Sequence, residues 1–480
     1  MGHQKTLVMK FGGTSLGTIE AMGQAARITT TVSADWPRLV VVASALSGVT
    51  DLLIDSANWA ARGDQAAYQR AIAELEQRHH AHIDNLVRDA TLRMQVQGEV
   101  DELLGSFINL CQAIEVLGEA SPRALDAVSA LGERLSSRIL SAAVQSSGAR
   151  AAAVDATHLI VTDDHHQAAL PDMRVSIKRI RDVIEPLWRQ GIIPIVTGYI
   201  AATPAGVTTT LGRGGSDYSA SILALALQAN QLWLWTDVDG VMTADPRIVP
   251  EARTISELSY REVAEMAYFG AKVLHPKSIH PVIEGGIALR VCNTFNPANP
   301  GTWLVADRNG NGYGRIRAVT AIRGLQLITL SGTGMLGVPG VAGRIFSAVA
   351  TTGVSVPLII ESSSEQAICF PAPVETVCAV IHSLECHLAM ELQRGDIDHI
   401  QASGEVDIIT VICPGLRSVP GVAGQIFSTL GGKSINILGI SFGASDVSIN
   451  LVVNAADTPQ ALQAVHTLIP QPTIEKESAQ

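Results

Sequence analysis

Positive charge is scarce in this chain. Lys and Arg number 34 against 45 Asp and Glu, a formal net charge of −11 over 480 residues. A nucleic-acid backbone needs basic surface, so nucleic acid is excluded as the main partner, whereas a small anion needs only local positive charge. Cysteine is sparse as well. Cys111, Cys292, Cys369, Cys378, Cys386 and Cys413 stand apart, with no C-x-x-C. That excludes a disulfide framework and predicts reduced, mostly buried thiols in a cytoplasmic protein. Long apolar runs are missing: Leu39–Leu46 and Gly191–Ala202 are among the longest and fall far short of a membrane span. The start, MGHQKTLVMKF, lacks a signal-peptide core. Aromatics are few, at 4%, and hydrophobic residues make up 47%, rich in Ala, Val, Ile and Gly. This composition suits closely packed α/β layers and excludes disorder. The histidine groups His79/His80/His82 and His165/His166 have no Cys or carboxylate pattern beside them, so they read as polar helix face and loop rather than metal site.

The length predicts two to four domains. Over the first 305 residues strand and helix alternate, which argues a parallel α/β sandwich. Thr6–Phe11 is a short apolar strand ended by Gly12-Gly13. Leu39–Ala45 is an apolar strand of the kind buried on both faces. A long helical region runs from about Asp64 to Gly118. Val175–Gln190 is amphipathic, with Ile180, Val183, Ile184 and Leu187 in register and Gly191 as a stop. The strand Ile192–Ile200, a Gly-rich loop, a helix over Ser216–Ala229 and the strand Gln231–Thr236 follow. Ser259 and Glu262 have capping-box spacing before a helix through Phe269. Composition then shifts at DRNGNGYG, Asp307–Gly314, a linker.

Beyond the linker the chain repeats itself. VPGVAGRIFS at Val338–Ser347 returns as VPGVAGQIFS at Val419–Ser428, identical at nine of ten positions and offset by 81. In the first copy the expected elements are strand Leu325–Ser331, helix Val341–Thr351, and strands Val354–Ile360 and Gln366–Phe370. In the second they are strand Ile408–Cys413, helix Val422–Leu430, and strands Ile435–Ile440 and Val447–Val453. Two small tandem domains explain the phrase.

Four motifs bear chemistry. In KFGGTS, Lys10–Ser15, a strand ends in a lysine and two glycines before a helix. This is either a backbone cradle for an anion or a tight turn with a snorkelling lysine; it is not a Walker A loop. In TTTLGRGGSD, Thr208–Asp217, three glycines flank Arg213 ahead of a helix start, and a guanidinium holds a carboxylate with two parallel bonds. An N-capped helix after a flexible loop is the alternative. WTDVDGVMTADPR, Trp235–Arg247, is an acidic loop after a strand, suited to Mg²⁺ or ribose, or simply turn-forming. GAKVLHP, Gly270–Pro276, places Lys272 just past a helix. Gly332, Gly334 and Gly337 spell the G-x-G-x-x-G of dinucleotide sites, but the second repeat lacks it, and the lone match is set aside as a decoy.

Together and in this order, KFGGTS, TTLGRGGSD, TDVDGVMTADPR and GAKVLHP resemble the signatures of the aspartokinases, members of the amino-acid kinase family. The repeats resemble tandem ACT domains, which sense amino acids. SYREVAEMAYFGAKVLHP and IIESSSEQ are most similar to the kinase half of bifunctional aspartokinase–homoserine dehydrogenases. Only about ten mostly polar residues follow Pro470, so a monofunctional enzyme is expected. The resemblance implies a three-layer kinase sandwich with a mainly parallel sheet over residues 1–305. It implies a linker at 306–322, which would lend a strand to the second ACT domain, and ferredoxin-like βαββαβ ACT domains at 323–395 and 404–473.

The implied reaction is ATP-dependent phosphorylation of the side-chain carboxylate of L-aspartate to 4-phospho-L-aspartate, the first step towards lysine, threonine and methionine. A carboxylate nucleophile is already ionised at neutral pH and needs no general base. The difficulty is that two anions must meet, so catalysis is positioning plus cationic stabilisation. By resemblance Lys10 and Lys272, with Mg²⁺ carried mainly by ATP, neutralise the phosphates, and Asp217 holds the lysines. No metal ligand is assigned to the protein. Arg213 clamps a substrate carboxylate, Glu133 in LGERLS takes the ammonium, and Ser44, Thr50, Tyr199 and Ser216 complete the aspartate pocket. Lys10, Gly12, Gly13, Thr236, Asp237, Met242, Asp245, Arg247 and Lys272 form the nucleotide site. Met242 stands where the family often has Tyr.

The ACT resemblance implies a homodimer or homotetramer and feedback by threonine or lysine. Effector contacts are expected from Met335, Val338, Val356, Glu361 and Phe442. Glu361 and Phe442 occupy the two places where relatives carry a threonine-binding Gln. Glu361 suits a cationic effector, and Phe442 would plug the second site. Two rivals stand beside this reading: a kinase for glutamate, acetylglutamate or a nucleotide monophosphate, and an amino-acid sensor with a dead kinase fold. The latter predicts loss of Lys10, Arg213, Asp217 or Lys272, and all four are present.

Overall fold

The computed structural model describes residues 5–271, 274, 276–306, 313–335, 340–361, 366–443 and 446–470. They form two compact units. The first comprises the chain to Val241 with Thr254–Tyr260 and Leu274–Asp307. The second comprises Met242–Arg253, Arg261–Val273 and everything from Arg308. The second unit thus takes in two segments that precede the expected boundary at 305.

In the first unit the strands are β1 (Thr6–Phe11), β2 (Arg38–Ala43), β3 (Ala151–Val154), β4 (Ile193–Thr197), β5 (Ile200–Ala202), β6 (Thr208–Thr210), β7 (Gln231–Thr236), β8 (Glu257–Ser259), β9 (Ala288–Asn293) and β10 (Thr302–Val305). An eight-stranded sheet runs in the order β3-β4-β2-β1-β7-β9-β10-β8. Its pairs are parallel except β9 with β10. The central strands are largely apolar because both faces are covered. Leu7, Met9 and Phe11 enter one core cluster while the intervening Val8 is equally buried. β5 and β6 form a separate hairpin that leads to Arg213.

The expected helical region at 64–118 is two helices, Gln65–Leu86 and Ala90–Leu117. The break comes at Asp89, whose side chain accepts from the Leu92 amide and caps the second helix. Gly118, left-handed at φ 71°, ends it. Pro122–Ser146 then starts with Ser121 as cap and proline in the first turn, and presents a continuous buried face. His79 and His82 correct the sequence expectation of a polar helix face: both are buried. Burial drives the His79 imidazole down to about 4, so it is neutral, with Nδ1 donating to the Leu75 carbonyl at 2.6 Å. Three of the six free cysteines, Cys111, Cys292 and Cys413, are buried, whereas Cys378 and Cys386 are exposed.

The second unit is built on one antiparallel sheet. Its strands are β11 (Ala318–Ser331), β12 (Ile360–Glu361), β13 (Ala367–Pro373), β14 (His399–Ile412), β15 (Gly439–Phe442) and β16 (Ser448–Asn454), in the order β12-β13-β11-β14-β16-β15. β11 and β14 are long because each serves both repeats. The half Leu325–Ser331 lies between β13 and the start of β14, and Ala318–Ile322 pairs with Ile412–Ile408 of the second repeat. Each repeat therefore borrows its fourth strand from the other. The helices Val341–Ala350 and Val422–Gly431 each begin after a left-handed glycine, Gly340 or Gly421, and each packs its own core. In the second copy the repeated phrase is that turn and helix start, and in the first it is described from Gly340 onward.

Two strand expectations need correction. The sequence predicts full strands over Val354–Ile360 and Ile435–Ile440, but pairing is confined to Ile360–Glu361 and Gly439–Phe442. Val354 and Val356 instead pack against one core and Ile435 enters the other, so those apolar residues fill cores without extending the sheet. The G-x-G-x-x-G decoy also has a packing explanation. A Cβ on Gly332 would come within 2.2 Å of the Asp396 carbonyl oxygen, and one on Gly334 within 2.5 Å of Asp396 Cα. These glycines admit a neighbouring backbone; Gly337 lies outside the described residues.

A candidate active site at the carboxyl ends of the sheet

Open parallel sheets bind ligands beyond the carboxyl ends of their strands. There β1, β2 and β4 give way to loops around a cleft of about 1000 Å³. Lys10, Gly13, Ser44, Thr50, Glu133, Tyr199, Arg213, Ser216 and Asp217 all line it. The fold thus gathers all the expected aspartate-pocket residues, with Lys10, Gly13 and Asp217, from widely separated stretches of sequence. A second cleft of about 720 Å³ opens at the amino ends of β2 and β4. There Arg38 lies over the Trp188 ring at 4.5 Å and Trp188 donates to the Leu39 carbonyl, so its basic and aromatic groups serve local packing.

Lys10 Nζ sits 2.7 Å from Asp217 Oδ1, both largely buried. Asp217 lies in the first turn of the helix Gly215–Ala226, and its pairing fixes the lysine at the mouth of the cleft. Gly12 donates its amide to the Trp235 carbonyl at 3.1 Å. Ser15 Oγ donates to the same carbonyl, and Thr294 Oγ1 donates to Ser15 Oγ at 2.8 Å. The glycine turn is thereby fastened to β7.

Glu133 is the unusual member. It is 3% exposed, and its Oε2 has no hydrogen-bond partner. Burial pushes its carboxyl up to about 8, against the pull of the Ala45 amide, its own amide and the Lys10 charge. A buried acceptor left unpaired costs free energy unless a ligand satisfies it, so the position calls for a cationic donor from outside. Backbone strain is concentrated nearby. Tyr199 has φ 66° and Gln167 φ 70°, left-handed conformations that cost side-chain-bearing residues on the order of 1–3 kcal/mol each. Gly212 is required where it stands: at φ 78° its absent Cβ would lie 2.9 Å from the Gln167 carbonyl oxygen.

The expected nucleotide residues fall into three groups. Thr236 ends β7 and Asp237 follows it, with Thr236 Oγ1 donating to Asp237 Oδ1 at 3.0 Å. Met242, Asp245 and Arg247 belong to the second unit. There Arg247 grips Asp245 through two bonds of 2.7 and 3.0 Å, and the side-chain bond to Arg247 holds the Asp245 carboxyl below its usual range. Lys272 lies outside the described residues. Of the effector positions, Met335 is buried in the first repeat's core and Val356 packs against it. Glu361 is exposed on β12, Phe442 is 44% exposed on β15, and Val338 lies outside the described residues.

Sequence reasoning passed over several residues. Asp126, Ser129 and Gln167 also line the cleft. Asp126 stands seven residues before Glu133, two helical turns, so helical periodicity alone would have placed both on one face. Asp239, inside the quoted acidic motif, accepts from Asn293 and Asn296 at 2.8 and 3.1 Å and ties the loop after β7 to the loop after β9. Among the described residues no group of three or more His, Cys, Asp or Glu could hold a metal ion. No helix among them is long and apolar enough to cross a membrane.

Comparison with known proteins agrees with this arrangement. Residues 5–293 match the model of the amino acid kinase family, and 328–388 and 409–468 match an ACT domain. The chain is 36% identical over 467 residues to bifunctional aspartokinase/homoserine dehydrogenase 1 of Arabidopsis thaliana, covering 96% of itself and 50% of the relative. It spans about half the length of such bifunctional relatives. It is 28% identical to the aspartokinase of Saccharomyces cerevisiae, covering 92% of that protein. The structure superposes on E. coli aspartokinase III in complex with aspartate and ADP with a TM-score of 0.79 at 28% identity, covering 97% of this chain and 99% of that one. For the same enzyme in complex with lysine and aspartate the TM-score is 0.77.

The Glu133 geometry carries a stability prediction. A carboxyl that titrates near 8 when folded and near 4.5 when unfolded holds more protons in the native state between those values. The ligand-free protein therefore loses stability as pH rises from 4.5 to 8. Glu133→Gln removes that loss and is expected to be the more stable protein at pH 8, by roughly 2–4 kcal/mol. Urea denaturation of both proteins at pH 5.5 and 8 checks this; equal pH dependence would contradict it.

Proposed function

Because the chain belongs to the amino acid kinase family, we propose that it is an aspartate kinase, transferring the γ-phosphoryl group of MgATP to the side-chain carboxylate of L-aspartate. The observation that carries this reading is the buried Glu133 carboxyl, one oxygen of it unbonded, in a cleft shared with the guanidinium of Arg213 and the ammonium of Lys10. An amino acid brings both complements. Its ammonium would satisfy Glu133, and its α-carboxylate would take two parallel bonds from Arg213. That leaves the side-chain carboxylate free to attack phosphorus as the bond to ADP breaks, giving an acyl phosphate.

The remaining residues follow from charge. The triphosphate brings its own Mg²⁺, which neutralises developing charge on the phosphates. Lys10 stabilises the transferring phosphoryl group and Asp217 holds it in position. The Gly12 and Gly13 backbone lets phosphate oxygens approach closely. Ser44, Thr50, Tyr199 and Ser216 line the pocket around the substrate. Thr236 and Asp237, with Met242, Asp245, Arg247 and Lys272, are the nucleotide residues of this reading. The same enzyme would open the route to lysine, threonine and methionine in the cytoplasm.

The ACT repeats make it a regulated enzyme, assembled as a homodimer or homotetramer. The effector is threonine or lysine; the exposed Glu361 carboxylate on β12 suits the second ammonium of lysine. Binding would shift an equilibrium between active and inactive states.

Two experiments test the proposal. In an ATP-dependent hydroxamate assay the protein should turn over aspartate and not glutamate. Lys10→Ala and Arg213→Ala should each remove about 3–5 kcal/mol of transition-state stabilisation while remaining folded. Unchanged kcat/KM in either variant would overturn the assignment. For regulation, activity titrated with threonine, with lysine and with both should fall for at least one of them. Full activity in millimolar amounts of each would end the feedback reading.

A further inference from the structure

One short turn serves both cations of the cleft. Arg213 is exposed and stands between two left-handed glycines, Gly212 at φ 78° and Gly214 at φ 72°. Asp217, which fixes Lys10 at 2.7 Å, follows in the first turn of the helix Gly215–Ala226. Glycine has more backbone freedom to lose than any other residue, so a turn flanked by two of them has to be ordered by its surroundings. Gly214 is the N-cap of that helix and has no side-chain cap. The tie comes from another helix. Ser278, 1% exposed in the helix Pro276–Glu284, donates its hydroxyl to the Gly214 carbonyl at 3.0 Å, across 64 residues of sequence. Its neighbour Lys277 lies over the Tyr218 ring at 5.6 Å, and the buried Ile279 and Val282 anchor the same helix in the core.

We propose that Ser278 is a positioning residue whose hydroxyl orders the Gly212–Gly214 turn before any ligand arrives, so that Arg213 and Asp217 are presented together and neither the amino acid nor the nucleotide has to order the turn on binding. The inference rests on the aspartate-kinase reading, in which Arg213 takes the α-carboxylate and the Lys10–Asp217 pair meets the phosphates. Its consequence is a coupling between the two ligands that the hydroxyl suppresses. Without the hydroxyl the turn is ordered in only a fraction of molecules, and the affinity for each ligand falls by that fraction. Whichever ligand binds first then orders the turn and restores the affinity for the second. The result is positive cooperativity with no change in either set of contacts. The Gly214 carbonyl still accepts from the Tyr218 amide at 2.9 Å, so losing the hydroxyl leaves no buried acceptor unbonded and the fold intact.

The test uses the full-length protein and its Ser278→Ala, Ser278→Thr and Ser278→Cys variants. Calorimetry reads the Kd of aspartate without and with a saturating, non-hydrolysable β,γ-imido analogue of MgATP. The ratio of the two values should rise about three- to tenfold in Ser278→Ala relative to the unmodified protein, the worth of one hydrogen bond. The Kd of the analogue, without and with aspartate, should shift by the same factor. Ser278→Thr retains the hydroxyl and should keep the original ratio. Hydrogen exchange of the 212–218 amides should quicken in ligand-free Ser278→Ala and return to its original rate with either ligand. A merely structural role would lower the melting temperature and weaken aspartate equally without and with the analogue, and that outcome would overturn the proposal. So would an unchanged ratio. Should Ser278→Ala fail to fold, Ser278→Cys, which keeps nearly the same shape with a weak donor, decides the question by the same ratio. If the unmodified protein bound no aspartate at all, the aspartate-kinase reading would fall; aspartate binding with an unmoved ratio would end the ordering claim alone.

Discussion

A carboxylate cannot stay ionised in a protein interior without a cation or enough donors to replace water. At Glu133 the Ala45 amide and the Lys10 charge act on the carboxyl but do not offset its burial. Glu133 sits mid-helix, buried, with one oxygen unbonded, and in the aspartate-kinase proposal the missing partner would come from the substrate. The helix Pro122–Ser146 is held rigid by a capped start and a buried face along most of its length. The two basic residues of the cleft, Lys10 and Arg213, stand on other elements, and Lys10 is already committed to Asp217 at 2.7 Å. In a chain with a net charge of −11, the cleft thus gathers two basic residues beside a buried acid.

The same economy shapes the second unit. The two repeats do not fold as separate beads. β11 and β14 each run through both, so a six-stranded sheet carries two helix-lined cores. The segment Met242–Arg253, which holds the acidic-loop residues Asp245 and Arg247, is fastened into this unit. Thr243 bonds His466 at 2.9 Å, and its carbonyl accepts from the Val319 amide. The acidic-loop segment and both repeats therefore belong to one compact unit.

Much of this was legible in the sequence, for identifiable reasons. Continuous apolar strands such as Leu39–Ala43 announced a doubly covered parallel sheet, and Gly-rich turns after strands announced the anion-facing end. The repeated phrase announced paired modules. What could not be read was tertiary in origin. His79 looks polar in sequence, and only the packing of neighbouring helices buries it. Val354 and Ile435 look like strand residues because packing into a core and pairing in a sheet demand the same side chains. Asp126 escapes notice because its partners lie 40 and 84 residues away, a separation no local pattern reveals. Of the borrowed fourth strands, the family resemblance foreshadowed one, the strand lent to the second repeat from the linker at 306–322.

The central claim is that Glu133 is a protonated acid with one unbonded oxygen until a substrate ammonium reaches it. Isotope-edited infrared spectroscopy of the full-length protein at pH 7 reads this directly. The account predicts a buried carboxylic-acid band, absent from Glu133→Gln, that converts to a carboxylate band when aspartate is added. A Glu133 already ionised in the ligand-free protein, or a band indifferent to aspartate, would contradict it.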